Sequence, residues 1–346
     1  MLIGPVTNTN ANLVGGATIS FGYLIDYLKN EKESFTLVNT QRFPKGKKRT
    51  LNPFYVFVKV LLSVAKADVI FLNCSDKGIK YLSPLLFYIA KIFNLKYVVR
   101  PFGGDFKDYT DRWGSTQKTI LARTTLKADL LFLQTKKLIA AFDDGKINLR
   151  QLPTSRDTPT TSRENRIYDR RFVYLGFVNH SKGVDHLLEA AKFLGDTYQI
   201  HIYGPIRENY EASQAKQFEE QFREQRGIYQ GVLPKAKVME TLREYDVLVL
   251  PTFYQGEGYP GVIIEAYSLG LPVITTQWKA IPEIVEDQKT GLLIEPRSTE
   301  ALIAAMQFFN PENYPAFSAN AKRYFEKTFS TRQVSGNAIA AIKALF

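Results

Sequence analysis

Residues Val247–Pro272 read VLVLPTFYQGEGYPGVIIEAYSLGLP, and the order of residue types in this stretch decides the fold class. Val247-Leu248-Val249-Leu250 is a continuous apolar run, the pattern of a strand covered on both faces. Pro260 suits the first turn of a helix, where its missing N–H costs nothing. Val262, Ile263, Ala266 and Leu269 supply an apolar stripe, Gly270 suits a left-handed C-terminal residue, and Pro272 stops the helix. The order is strand, glycine-rich loop, helix start. Free N–H groups and the helix dipole make such a start an anion site. Glycines at 256, 258 and 261 let a phosphate approach the backbone. Glu257 stands just before the helix and Glu265 about two turns inside it, roughly 12 Å further along. A carboxylate beside a phosphate site repels it unless it takes hydroxyls. The pattern therefore suggests sugar hydroxyls on both sides of a phosphate group.

The same strand–helix alternation runs outward in both directions. In the first half, β-prone runs recur at Leu2–Val6, Phe35–Asn39, Val69–Asn73, Tyr97–Arg100, Leu130–Gln134 and Leu149–Leu152. Helical patterns separate them near 16–30, 53–66, 81–94, 111–127 and 136–143. The second half repeats the scheme with strands Arg171–Gly176, Gln199–Tyr203, Ile228–Gln230, Val247–Pro251, Val273–Thr276 and Leu292–Glu295. Its helices fall near 183–194, 208–225, 235–244, 259–269, 299–309 and 315–328. Strict βα alternation predicts an α/β chain of two doubly wound, Rossmann-like domains. The predicted domains are 1–160 and 161–329, with the polar stretch Thr154–Ile167 at the boundary. A C-terminal helix at about 330–346 is expected to pack back on the first domain. If the domains face each other, the cleft lies at the carboxyl ends of the strands.

Composition narrows the function classes. The 346 residues are 45% hydrophobic and 23% charged, ordinary globular values that exclude a disordered chain, a collagen or a coiled coil. The single cysteine, Cys74, excludes a disulfide framework and a cysteine-built metal site. Its reading is a reducing, cytoplasmic compartment. The N-terminus lacks the flank and apolar core of a signal peptide, and no stretch approaches the ~20 apolar residues that span a bilayer. Residues 1–150 carry 23 Lys+Arg against 11 Asp+Glu, whereas residues 151–346 carry 22 against 23. A basic half on a neutral half implies an anionic partner. No zinc-finger spacing or RNP-type aromatic motif points to nucleic acid. The densest run, Lys45-Gly46-Lys47-Lys48-Arg49, precedes the apolar and aromatic stretch Leu51–Ala65. That is the pattern of an amphipathic helix lying in an anionic membrane interface; a solvated loop before a core helix fits equally.

Other constellations are thinner. Gly256-x-Gly258-x-x-Gly261 matches a dinucleotide fingerprint, but Gln277 and Trp278 stand where the ribose-binding acid belongs. His180, His186 and His201 have no metal-ligand spacing, so no metal site is expected; His186 and His201 read as structural. Walker A and Gly-x-Ser-x-Gly sequences are absent.

Glu257 and Glu265, in Glu-Gly-Tyr-Pro-Gly-Val-Ile-Ile-Glu-Ala, resemble the E-x7-E motif of glycosyltransferase family 4. Leu175–Ala190 is similar to that family's Gly-Arg-Leu…Lys-Gly segment, and Tyr203-Gly204-Pro205, Gly231-Val232-Leu233 and Gly291-Leu292-Leu293 fit its later strands. In the first half the likeness rests on Gly15-Gly16 opening a helix. The resemblance implies a GT-B fold and retaining transfer of a sugar from a nucleoside diphosphate donor, without a metal or other cofactor. It implies that Lys182 binds the diphosphate, Glu257 the donor sugar and Glu265 the ribose. By the same likeness Gly16, Gly258 and Tyr259 approach the donor through their backbones, and the segment from Ile228 to Leu233 lies against the base. Two departures stand out. Phe177 takes the place of the family's usual arginine, leaving Arg207 or another cation to replace it. The usual acceptor-side histidine is absent, and Arg100-Pro101-Phe102-Gly103-Gly104-Asp105 occupies its place. Asp105 or Arg100 is expected to contact acceptor or donor there, with His180 lining the cleft; a glycine-rich turn with Asp105 as a helix cap fits at least as well. The basic half suits a glycan or lipid-linked acceptor at the inner membrane face. Three alternatives stay open: a nucleotide-sugar epimerase, an NAD-dependent dehydrogenase, and a non-catalytic nucleotide-sugar-binding protein.

Overall fold

The computed structural model describes residues 1–6, 16–40, 53–160, 167–206, 218, 220–222 and 227–346, with 16, 17 and 53–55 described by backbone alone. Gly15, the run Lys45–Arg49, Arg207 and most of the helix expected near 208–225 lie outside the described residues. The chain divides into two compact units: Met1–Ser155 together with Thr331–Phe346, and Arg156–Ser330.

The first unit is built on a parallel sheet of six strands. In chain order these are β1 Leu2–Gly4, β2 Leu37–Asn39, β3 Val69–Cys74, β4 Lys96–Pro101, β5 Leu130–Leu133 and β6 Leu149–Gln151. They lie side by side in the order β2-β1-β3-β4-β5-β6. Along β3 the side chains alternate between faces, as strand geometry requires. Phe71 meets Phe21, Leu24 and Ile25 of helix Gly16–Asn30, and the C-terminal helix Thr331–Lys343 adds Val334 and Ala338 to this face. Ile70 and Leu72 belong to the other face, with Val56 and Val60 of helix Pro53–Ser63 and Leu86 and Ile89 of helix Ser83–Ile92. Each such fully buried side chain contributes about 1.5–3 kcal/mol. The helix expected over 111–127 is instead three pieces, Phe106–Asp111, Ser115–Arg123 and a 3₁₀ turn Thr125–Lys127. Gly114, extended at ψ 164°, breaks the first junction.

The second unit has a five-stranded parallel sheet. Its strands are β7 Arg171–Leu175, β8 Gln199–Tyr203, β9 Val247–Leu250, β10 Val273–Thr276 and β11 Gly291–Ile294, ordered β11-β10-β9-β7-β8. Every residue of β9 is buried, matching its unbroken apolar run. The expected strand Ile228–Gln230 is a single parallel bridge, Ile202 to Tyr229, flanking β8. The chain leaves β7 to one side for β8 and returns on the other side as β9. The carboxyl ends of β7 and β9 are therefore the topological switch point, where open α/β sheets leave a crevice.

Candidate active site

Loops 176–183 and 251–260 leave that switch point, and their backbones are stitched together. The Phe253 N–H donates to the Ser181 carbonyl at 2.8 Å, and the Val178 N–H donates to Pro205 after β8 at 3.0 Å. Glycine is required twice. Gly183 sits at φ +71°, and a Cβ there would lie 2.1 Å from the Pro251 carbonyl oxygen. Gly204 sits at φ +140°, where a Cβ would lie 1.7 Å from the Gly176 oxygen. Asn179 shapes the turn into helix Val184–Leu194: its side-chain oxygen accepts from the Lys182 N–H at 3.0 Å and the Ser181 hydroxyl at 2.9 Å.

These constraints bring Lys182 and Glu257 together. Lys182 Nζ donates to Glu257 Oε2, and the two side chains are 15% and 9% exposed. The Thr252 hydroxyl donates to the same carboxylate oxygen at 2.8 Å. Lys182 Nζ also lies 4.9 Å from the Tyr254 ring centroid, in cation–π range. Tyr174, beneath the loop, donates to the Phe177 carbonyl at 2.6 Å. Burial, and then the Glu257 charge, push its phenol well above the ordinary value. Desolvating an ion pair is costly. The loops hold one here although it closes no strand or helix, so the arrangement keeps a cation and a carboxylate preorganised at the crevice.

Helix Gly261–Ser268 begins after Pro260, which occupies the N-cap position instead of the first turn. Glu265 is its fifth residue, little more than one turn in, so the two-turn spacing expected above is too long. Glu265 Oε1 accepts from Arg156 Nε at 2.7 Å, with side-chain exposures of 18% and 6%. Arg156 was not visible as a site residue in the sequence. Its guanidinium fills the space in front of Gly261, where a Cβ would lie 2.0 Å from one of its terminal nitrogens. Gly261 thus clears room for the arginine side chain. A cation at a helix N-terminus opposes the dipole, and Glu265 offsets that.

The remaining predicted residues are dispersed. Gly258 is half-buried beside Tyr259, whose buried ring directs its hydroxyl to Glu283 at 2.7 Å. His180 meets Asp185 at 2.7 Å and packs edge-on against Phe253. Leu233 is half-buried, following a segment tied to β8 by Gly204 N–H to Gly231 oxygen at 2.9 Å.

In the first unit, Gly16 opens its helix. Arg100 is buried on β4, and its guanidinium donates to the Leu152 and Pro153 carbonyls, both at 3.2 Å. Burial lowers its pKa to about 10. Asp105 is half-buried after Gly103, which sits at φ +124°. It faces Asp76, another residue that local pattern missed: burial and then the Asp105 charge raise the Asp76 carboxyl above its usual range.

Residues 169–309 match the family described as Glycosyl transferases group 1. The chain is 32% identical over 101 residues to the putative colanic acid biosynthesis glycosyltransferase WcaL of Salmonella typhimurium, covering 28% of this chain and 25% of that protein. It is 27% identical over 216 residues to the putative teichuronic acid biosynthesis glycosyltransferase TuaC of Bacillus subtilis, covering 60% of this chain and 51% of that one. The chain thus spans between a quarter and about half the length of these relatives. The crystal structure of Anabaena Alr3699/HepE in complex with UDP aligns over 99% of both chains, at 14% identity and a TM-score of 0.73. That likeness extends over both parallel-sheet units, and the fold is GT-B, two Rossmann-like units in one chain.

Proposed function

We propose that the chain is a retaining glycosyltransferase, moving a sugar from a nucleoside diphosphate donor to an acceptor hydroxyl in polysaccharide or glycolipid assembly at a membrane surface. The observation that carries this reading is the Lys182–Glu257 pair at the switch point of the second unit. The match of residues 169–309 to a glycosyltransferase family and the polysaccharide roles in its relatives' names support it. The UDP bound in the Anabaena structure supports a nucleoside diphosphate donor.

The chemistry follows from the pair. An arriving diphosphate competes with Glu257 for Lys182. Glu257, released from the ammonium but still bonded to Thr252, then accepts hydroxyls of the donor sugar. As the C1–O bond stretches, positive charge grows on the sugar and negative charge on the leaving diphosphate. Lys182 and the amides at helix N-termini stabilise the latter. The acceptor hydroxyl attacks from the leaving-group side and passes its proton to a diphosphate oxygen, so configuration is retained. Glu265, held through one oxygen by Arg156, offers the other to the ribose. These groups supply the electrostatics without a metal. Asp105 is assigned to the acceptor side, while Arg100, buried and bonded to the Leu152 and Pro153 carbonyls, holds the backbone there; the acceptor is a glycan or lipid-linked sugar at the cytoplasmic face. No helix among the described residues is long and apolar enough to cross a membrane.

A thermal-shift panel of nucleoside diphosphate sugars tests the reading, since a bound ligand in excess raises apparent stability. One donor should shift the melt and yield a product of unchanged anomeric configuration. No shift with any donor, or an inverted product, refutes it.

A further inference from the structure

We infer that the first unit docks on an anionic lipid surface through the outward sides of helices Pro53–Ser63 and Ser83–Ile92. Both helices cover the same face of the sheet, with Val56, Val60, Leu86 and Ile89 turned inward. A surface helix normally turns a polar stripe to water. These two turn apolar residues outward as well. On the second, Leu85, Tyr88 and Ile92 recur at i, i+3 and i+7, which places them on one outer stripe. Tyr81 extends it through the preceding π-helical turn Gly78–Leu82, and Phe93 extends it past the C-terminus. Ile92 is 76% exposed and Tyr88 56%. On the neighbouring helix Val58, Leu61 and Leu62 are exposed, Leu62 to 76%.

Charge selects the occupant. Residues 53–66 and 77–93 contain Lys59, Lys66, Lys77, Lys80 and Lys91 and no Asp or Glu. A second copy of this face would bring the same positive charge and repel. An anionic bilayer satisfies both demands, because its headgroups take the lysines and its acyl boundary takes the apolar stripe. Ten helical residues cover about 15 Å, half the ~30 Å of a bilayer core, so the helix lies in the interface plane. Tyrosine suits that depth, with its ring in the apolar layer and its hydroxyl in water. The exposed stripe on residues 81–93 was not visible in the sequence reading, which placed the membrane contact at residues 45–65. The inference deepens the membrane placement proposed above, but does not need sugar transfer to be correct.

Co-sedimentation of the full chain with vesicles tests it. Equimolar phosphatidylglycerol and phosphatidylcholine should bind at least about tenfold more protein than phosphatidylcholine alone, given roughly 1 kcal/mol per lysine near an anionic surface. Tyr88→Ser with Ile92→Ser should weaken binding about tenfold or more, by loss of buried apolar area. Leu62→Ser makes the same test on the other helix. Lys80→Glu with Lys91→Glu should abolish the preference for anionic vesicles. Equal binding to both vesicle types, no binding, or variants that pellet like the wild type would overturn the proposal. So would self-association, seen by sedimentation velocity without lipid, that Tyr88→Ser with Ile92→Ser removes. The donor thermal shift on the same proteins keeps the two readings apart. Lost lipid binding with an intact donor response supports docking. Wild-type lipid binding without any donor response sinks sugar transfer and leaves docking standing.

Discussion

Arg156 and Glu265, 109 residues apart in the chain, meet with 2.7 Å between Nε and Oε1. The contact orients the carboxylate, because a guanidinium donates in a fixed plane. It also binds the first residue of the second unit to helix Gly261–Ser268. Arg156→Met should leave Glu265 partly buried without its cation, at a cost of about 3 kcal/mol. Urea denaturation of the full chain measures this, and an unchanged midpoint would remove Arg156 as the group that holds Glu265.

Glu265 itself separates stability from binding. If its second oxygen takes ribose hydroxyls, Glu265→Ala should weaken donor binding by ~1.5–3 kcal/mol, the scale of a lost charged hydrogen bond, or roughly ten- to a hundredfold in Kd. Titration calorimetry with the matching nucleoside diphosphate reports it. Wild-type affinity in the variant would mean that Glu265 serves only Arg156.

Lys182→Met should lower kcat by about 10²–10³, the usual loss when one preorganised donor to a developing negative charge is removed. Methionine keeps an unbranched apolar side chain of similar length, so near-native circular dichroism is expected alongside the lost rate. Turnover at the wild-type level would exclude Lys182 from the reaction.

The alternation of apolar runs and amphipathic stretches was enough to read two parallel sheets, because strand and helix periods are local. β9, its glycine-rich loop and the following helix were legible for the same reason. What escaped local reading was long-range. Arg156 lies in a polar stretch that looks like a linker, and nothing in its neighbours announces Glu265. At Gly261 a sequence shows that room is needed and not that Arg156 borders it. Asp76 and Asp105 come together only once β3 and β4 pair, through Asn73 beside Arg100 and Cys74 beside Pro101. The outward stripe on helix Ser83–Ile92 was hidden because an apolar helix reads as core until the structure shows which side has no cover.

Gly183 and Gly145 have nearly the same left-handed backbone, φ +71° and +72°, but a Cβ at Gly145 would meet nothing within 4 Å. Gly145→Ala should therefore cost only the conformational penalty, about 1 kcal/mol. Gly183→Ala adds a collision with the Pro251 carbonyl and has to push apart the two loops that carry Lys182 and Glu257. Denaturation and donor affinity together separate the cases: both variants lose stability, Gly183→Ala loses more, and only Gly183→Ala loses donor binding. Equal losses would show that the loop junction does not position the site.

His201 gives the second unit a pH dependence whose sign can be worked out. Its Nδ1 meets the Tyr245 hydroxyl at 2.7 Å, and burial, then the Arg171 charge, hold its pKa below the ordinary 6.5. As pH falls through about 6.5, the imidazole of the unfolded chain takes a proton before that of the folded chain. Between the unfolded and folded values the unfolded state binds more protons, so stability declines as pH falls across that window and levels off below it. The contribution is fully present above about 6.5, where both states are neutral. Urea denaturation at pH 7 and again at pH 5.5 should show this loss. In His201→Gln, which retains a side-chain hydrogen-bonding group and cannot titrate, the drop should shrink. An identical drop in the variant would assign the acid sensitivity to other groups.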